Sequence, residues 1–168
     1  YRVVNKYIRI PQQPIFVVPH ELIKASKLKY YVDLDMSNSF HQIPLDKEFS
    51  ELLSVKTPWD LVRPKFLPEG VGPASGLLQH LVRDIFSDFS DWTIVIFDNF
   101  LILADSYEDA YVKLEKMLDR CREFGIVLKM KKSWIGVEEV EFFGYRVKHG
   151  TWELSQARKD AISSIPFP

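Results

Sequence analysis

Residues 30–36 alternate apolar and polar side chains, the period-two rhythm of a half-buried strand, and the alternation stops near Asp35. Over residues 73–89 the rhythm changes. Leu77, Leu78, Leu81, Val82 and Ile85 recur at helical spacing and predict one buried helix face. Residues 92–97 and 101–104 then form two apolar runs, read as strands, separated by Asp98-Asn99-Phe100. A second helix is expected over 107–124, with Ala110, Leu114, Met117, Leu118 and Cys121 turned inward and Gly125 as its terminator.

The remaining pattern is weaker. A short helix is expected over 20–27, whereas Pro11, Pro14 and Pro19 favour an extended or turning path before and into it. Strand-like runs at 52–55 and 61–66 suggest a hairpin. Residues 126–130 and 140–147 read as further strands, and Gly150-Thr-Trp-Glu-Leu as part of a last hairpin. Strand, helix, strand hairpin, helix and further strands, in that order, suit an α+β fold in which an antiparallel sheet is backed by two helices on one face.

Composition narrows the class. With 168 residues, 46% hydrophobic and 14% aromatic, the chain can bury the core of one domain and is neither disordered nor fibrous. A single cysteine, Cys121, excludes an internal disulfide and a cysteine-clustered zinc site. No run is apolar enough for long enough to cross a bilayer, so no membrane partner is expected. The formal charge of −1 means that a nucleic acid must be met by a local basic face. One such face lies in residues 1–29, where Arg2, Lys6, Arg9, Lys24, Lys27 and Lys29 stand against Glu21 alone. The abrupt start and end are those expected of a fragment of a longer chain.

Two aspartates mark strand ends, Asp35 and Asp98. On spacing alone they read equally as ordinary turn residues or as two carboxylates side by side that share hard cations. His20, His41, His80 and His149 lack the spacing of a zinc site, and Asp105, Glu108 and Asp109 most simply favour the N-terminal dipole of the second helix. Trp92 and Trp134 read as core.

Six motifs in order carry a resemblance. Tyr1-Arg-Val-Val-Asn-Lys6 opens the chain. Tyr31-Val-Asp-Leu-Asp35-Met-Ser-Asn-Ser-Phe40-His-Gln-Ile resembles a first metal-binding motif, Leu67-Pro-Glu-Gly70 with Gln79 a nucleotide-contacting loop and helix, and Ile96-Phe-Asp98-Asn99 a Tyr-x-Asp-Asp turn. Leu128-Lys-Met-Lys-Lys132-Ser resembles a lysine motif near the triphosphate, and Phe142-Phe143-Gly144-Tyr145 a primer-grip hairpin. Together they resemble the fingers and palm of reverse transcriptases from long-terminal-repeat retroelements, Ty3/gypsy-like and retroviral.

The resemblance implies partial fingers at 1–29 and 44–69 and a palm at 30–43 and 70–168. It implies an RNA-directed DNA polymerase, part of a retroelement polyprotein, using Mg2+ or Mn2+ held by Asp35 and Asp98, with Asn99 completing the catalytic turn. Phe40 would be the steric gate against a ribose 2′-hydroxyl, Gln79 would orient the nucleotide, and Lys132 would lie near the departing pyrophosphate. Phe142, Phe143, Gly144 and Tyr145 would grip the primer. The implied partners are an RNA or DNA template, a DNA primer, deoxynucleotides and the thumb, connection and RNase H regions of a longer polyprotein. The implied setting is intracellular, a cytoplasmic particle or the nucleus.

The departures from the family pattern are specific. Asn99 stands where a second aspartate is usual, Ile96 where a tyrosine is common, and Glu51-Leu-Leu-Ser-Val55 where a Lys-Thr-Ala-Phe-like strand is usual. Lys56, Arg63 and Lys65 remain nearby, as phosphate contacts or as ordinary hairpin charges. A neutral Asn99 implies weaker cation binding, so the alternative is a catalytically inactive relative kept for nucleic-acid binding or a structural role. A structure with Asp35 and Asp98 far apart would instead favour an unrelated α+β protein of ferredoxin-like topology.

Overall fold

The alternation over 30–36 does become a strand, β1 (Tyr30–Asp35), and it lies inside an antiparallel sheet. The computed structural model describes residues 1–8 and 18–165, so the path expected at Pro11 and Pro14 lies outside the described residues. The elements in chain order are α1 (Val18–Ala25), β1, α2 (Lys47–Leu52), β2 (Val55–Lys56), β3 (Leu61–Val62), α3 (Ala74–Ile85), β4 (Thr93–Ile96), β5 (Asn99–Ala104) and α4 (Tyr107–Phe124). They are followed by β6 (Trp134–Val137), β7 (Glu139–Phe142), β8 (Tyr145–Lys148), β9 (Thr151–Leu154) and α5 (Gln156–Ser163).

The main sheet runs β4-β5-β1-β6, with every neighbour antiparallel. Its alternation sorts side chains to two covered faces. Val32, Leu34, Phe100, Ile102 and Ala104 meet Leu78, Val82 and Phe86 at α3 and its end and Ala110, Leu114, Met117 and Cys121 of α4. On the opposite face Tyr31, Ile94, Ile96, Leu101 and Leu103 meet Leu22 and Ala25 of α1 and Val140, Phe142 and Val147 of the smaller sheet β7-β8-β9. Burial on both sides explains why β5 reads as a continuous apolar run, and each such side chain contributes about 1.5–3 kcal/mol. The expected α+β architecture, with two helices on one sheet face, is the one the chain adopts.

Local chemistry sets α4. Ser106 caps it by accepting from the Asp109 N–H at 3.1 Å, Glu108 and Asp109 sit in its first turn, and Gly125 ends it at φ +68. The structure also corrects several expectations. Leu77 and Leu81 are 45% and 44% exposed, because the sheet covers only the Leu78 and Val82 side of α3. Residues 126–130 form no strand, only an isolated bridge from Leu128 to Met36. The run at 140–147 is two strands folded at Phe143-Gly144, and of the run at 52–55 only Val55 enters a strand, pairing with Val62 in the expected hairpin, while Leu52 ends α2, which Asp46 caps by accepting from the Phe49 N–H at 2.7 Å. Trp134, expected in the core, is 63% exposed on the edge strand β6, whereas Trp92 is half-buried and packs on Phe89 at 4.6 Å between ring centroids.

Candidate active site

The register of β1 and β5 brings the two strand-end aspartates together. Asp35 is the direct cross-strand partner of Asn99, and the Met36 N–H donates to the carbonyl of Asp98 at 2.8 Å. Asp98 sits with Phe97 in a two-residue loop between β4 and β5, where Ile96 pairs with Asn99. Phe97 lies at φ +54 and Asp98 does not share its sign, the pattern of a type II′ turn, in which the first loop residue is usually glycine. A phenylalanine there stores local strain at the tip that carries the carboxylate.

Side chains hold this tip. Gln79, on α3, accepts the Phe97 N–H at 2.5 Å and donates to the Val95 carbonyl at 3.2 Å. Ser39, a buried hydroxyl, donates to Asp98 Oδ2 at 3.4 Å, and Asn99 Nδ2 donates to Asp98 Oδ1 at 3.1 Å. Each carboxylate oxygen of Asp98 thus has one protein donor. Asp33, two residues before Asp35 and therefore on the same strand face, has its carboxyl pushed up to about 6 by burial and by the charge of Asp35.

The lysine segment arrives from α4. The Lys129 N–H donates to the carbonyl of Asp35 at 2.7 Å, and Met130–Lys132 forms a single 3-10 turn that leaves Lys131 and Lys132 exposed. Phe40 lies in the 3-10 turn Ser39–Gln42, half-buried between the sheet core and the cluster of Leu53, Leu67, Val71 and Ala74. The loop after Leu67 is clamped by Asn5, whose amide donates to the Gly70 carbonyl and accepts the Gly72 N–H, both at 2.8 Å. Arg63 is engaged with Glu51 at 2.9 Å, the ordinary hairpin pair.

Further along, Phe142 is buried opposite Tyr145, and the Phe143-Gly144 loop between them has both residues at positive φ, a type I′ arrangement that glycine permits at its second position. Arg158 of α5 donates to the Phe143 carbonyl at 3.1 Å and stacks over Tyr145.

Asp35 and Asp98 are hard oxygen donors of the kind Mg2+ takes, and the amide of Asn99 adds a neutral one. Among the described residues no three His, Cys, Asp or Glu side chains group together, so the donor set is minimal. The roles of Ser39 and Asn5 escape sequence reasoning. Each is a short polar side chain within a quoted motif, and only the fold gives it a partner.

A family model described as "Reverse transcriptase (RNA-dependent DNA polymerase)" matches residues 1–147. Among curated proteins, the chain is 23% identical over 92% of its length to a putative enzymatic polyprotein of cassava vein mosaic virus. It is 25% identical over its whole length to the retrovirus-related Pol polyprotein from transposon 412 of Drosophila melanogaster. It spans 24% and 14% of those two polyproteins. Among solved structures, a foamy viral protease-reverse transcriptase in complex with double-stranded DNA superposes with a TM-score of 0.89 at 23% identity, over 99% of this chain and 29% of that one. The foamy viral enzyme in complex with an RNA/DNA hybrid gives a TM-score of 0.84 at 24% identity, over 100% of this chain and 23% of that one. At such identity these structures establish a shared fold.

Proposed function

Because the chain belongs to the reverse transcriptase (RNA-dependent DNA polymerase) family, we propose that it is the palm and part of the fingers of a retroelement polyprotein enzyme that adds deoxynucleotides to a primer 3′-hydroxyl on an RNA or DNA template. One observation carries the reading: Asp35 and Asp98 stand at the ends of adjacent strands, joined by the Met36 N–H to the Asp98 carbonyl. Asp35 and Asp98 would hold Mg2+ or Mn2+, with the Asn99 amide oxygen as a weak third donor. Divalent cations bound there would activate the attacking hydroxyl and stabilise the leaving phosphate oxygen.

The chain's own residues do the rest. Phe40 selects the sugar by filling the space of a 2′-oxygen. Gln79 orients the nucleotide while bracing the Asp98 loop, and Lys132 meets the departing pyrophosphate. Phe142, Phe143, Gly144 and Tyr145 form the loop that steadies the primer. Residues 1–29 and 44–69 belong to the fingers in this reading, the remainder to the palm. The thumb, connection and RNase H regions lie elsewhere in the parent polyprotein, in a cytoplasmic particle or the nucleus. Foamy viral relatives in complex with double-stranded DNA and with RNA/DNA hybrid support a nucleic-acid partner. Among the described residues no helix is long and apolar enough to cross a membrane.

A second reading rests on Asn99, whose amide faces Asp98 where a second carboxylate is usual: an inactive relative kept for nucleic-acid binding or a structural role. Primer extension by the parent polypeptide with Mg2+ or Mn2+ separates the two. Extension by the natural sequence, abolished in Asp98→Ala, supports the polymerase. Extension only by Asn99→Asp supports the silent scaffold.

A further inference from the structure

The lysine segment has no strand to hold it, yet it lies against the end of β1, where one side chain reinforces the isolated Met36–Leu128 bridge. Gln42 accepts the Val127 N–H through Oε1 at 2.8 Å and donates through Nε2 to the Val127 carbonyl at 2.9 Å. The same Nε2 also donates to the Ser37 carbonyl. The Val127 carbonyl takes a second donor, the Ser37 N–H, at 2.9 Å. The side-chain amide of Gln42 therefore stands in for a backbone peptide, satisfying both polar groups of one residue as a strand neighbour does. Two residues later the Lys129 N–H reaches the carbonyl of Asp35, so the latch and the candidate cation ligand lie on one continuous piece of backbone.

We propose that Gln42 is a positioning residue that latches residues 127–132 beside Asp35 and so sets where Lys132 meets the nucleotide phosphates. This deepens the nucleotide-addition reading above and rests on it for the role of Lys132. Amide chemistry is required at this position. A carboxylate has no proton for the Ser37 and Val127 carbonyls and would place a negative charge against both oxygens. A leucine of similar size fills the space and leaves the Val127 N–H to water.

Two measurements on the parent polypeptide test it. The first needs no activity: amide hydrogen exchange in Gln42→Leu. The Val127 and Lys129 amides should exchange about tenfold faster while those of β1 and β5 are unchanged. Unchanged protection at Val127 would overturn the latch. The second is a double-mutant cycle with Lys132→Ala, read as kcat/KM for the deoxynucleotide against the affinity for primer and template. Gln42→Leu should lower kcat/KM about tenfold, leave primer affinity within about twofold, and add little in the Lys132→Ala background. Fully additive losses would overturn action through the lysine segment. If the natural sequence extends no primer, that failure belongs to the polymerase reading, and hydrogen exchange alone decides whether the latch exists.

Discussion

Replacing Asn99 with aspartate puts a third carboxylate beside Asp35 and Asp98, with a cost and a compensation that the geometry sets. The Asn99 amide now donates to Asp98 Oδ1 at 3.1 Å and faces Asp35 across the strand pair. In Asn99→Asp that hydrogen bond, worth about 1 kcal/mol, is lost. Two negative oxygens at such a separation repel by about 1 kcal/mol in bulk water and about 5 kcal/mol at an effective dielectric of 20. All three residues are only half-buried, so solvent holds the repulsion near the low end, and a total cost of about 2–3 kcal/mol follows. Urea unfolding of the chain in EDTA, read by the fluorescence of half-buried Trp92, should move its midpoint down by about 1 M. Saturating Mg2+ binds the folded form alone and should return about 2–3 kcal/mol at 100-fold excess over its Kd, a gain much smaller in the natural sequence. The reasoning is refuted if Asn99→Asp unfolds at the same urea concentration in EDTA, or if Mg2+ stabilises both forms equally.

Three further outcomes follow from the same structure. Asp33 carries a carboxyl raised to about 6, so its folded form holds a proton that the unfolded form releases near pH 4; its contribution to stability is fully present below about pH 4 and is lost as pH rises through about 6. Asp33→Asn should flatten that decline in urea titrations made in EDTA, and an unchanged slope between pH 4 and 6 would assign it to other groups. Phe97→Gly should raise stability by about 0.5–1 kcal/mol by relieving the left-handed loop residue, measured as a rise in urea midpoint; a lower midpoint would mean that no strain is stored there. Gly136→Ala should cost about 2 kcal/mol in the same assay, because the added Cβ would lie 2.5 Å from the Tyr107 ring at a φ of +66. Adding Tyr107→Ala should recover part of that loss, and no recovery would mean that backbone strain alone is responsible.

Features decided within a few residues were legible in the chain itself. The end of β1 at Asp35, the span of α4 between Ser106 and Gly125, and the tight break at Asp98 all follow from periodicity, caps and turn chemistry, which act locally. The motif order likewise carried the family. Which face of α3 is covered was not legible, since Leu77 and Leu81 match Leu78 and Val82 in hydrophobicity and differ only in what packs over them. The segment after α4 looked like a strand because its residues suit one, but its partners are a glutamine side chain, the Ser37 N–H and the Asp35 carbonyl.

The sequence by itself therefore determined β1, the buried helix of α3, the β4–β5 pair and α4, their order, and the presence of an aspartate at two strand ends, because propensity, capping and charge reside in single residues and their near neighbours. Only the tertiary structure decided that Asp35 lies opposite Asn99, that Gln79 and Ser39 brace the Asp98 loop, and that burial beside Asp35 pushes the Asp33 carboxyl up to about 6. Register, desolvation and long-range hydrogen bonds arise from residues tens of positions apart meeting in space, and no local pattern encodes those meetings.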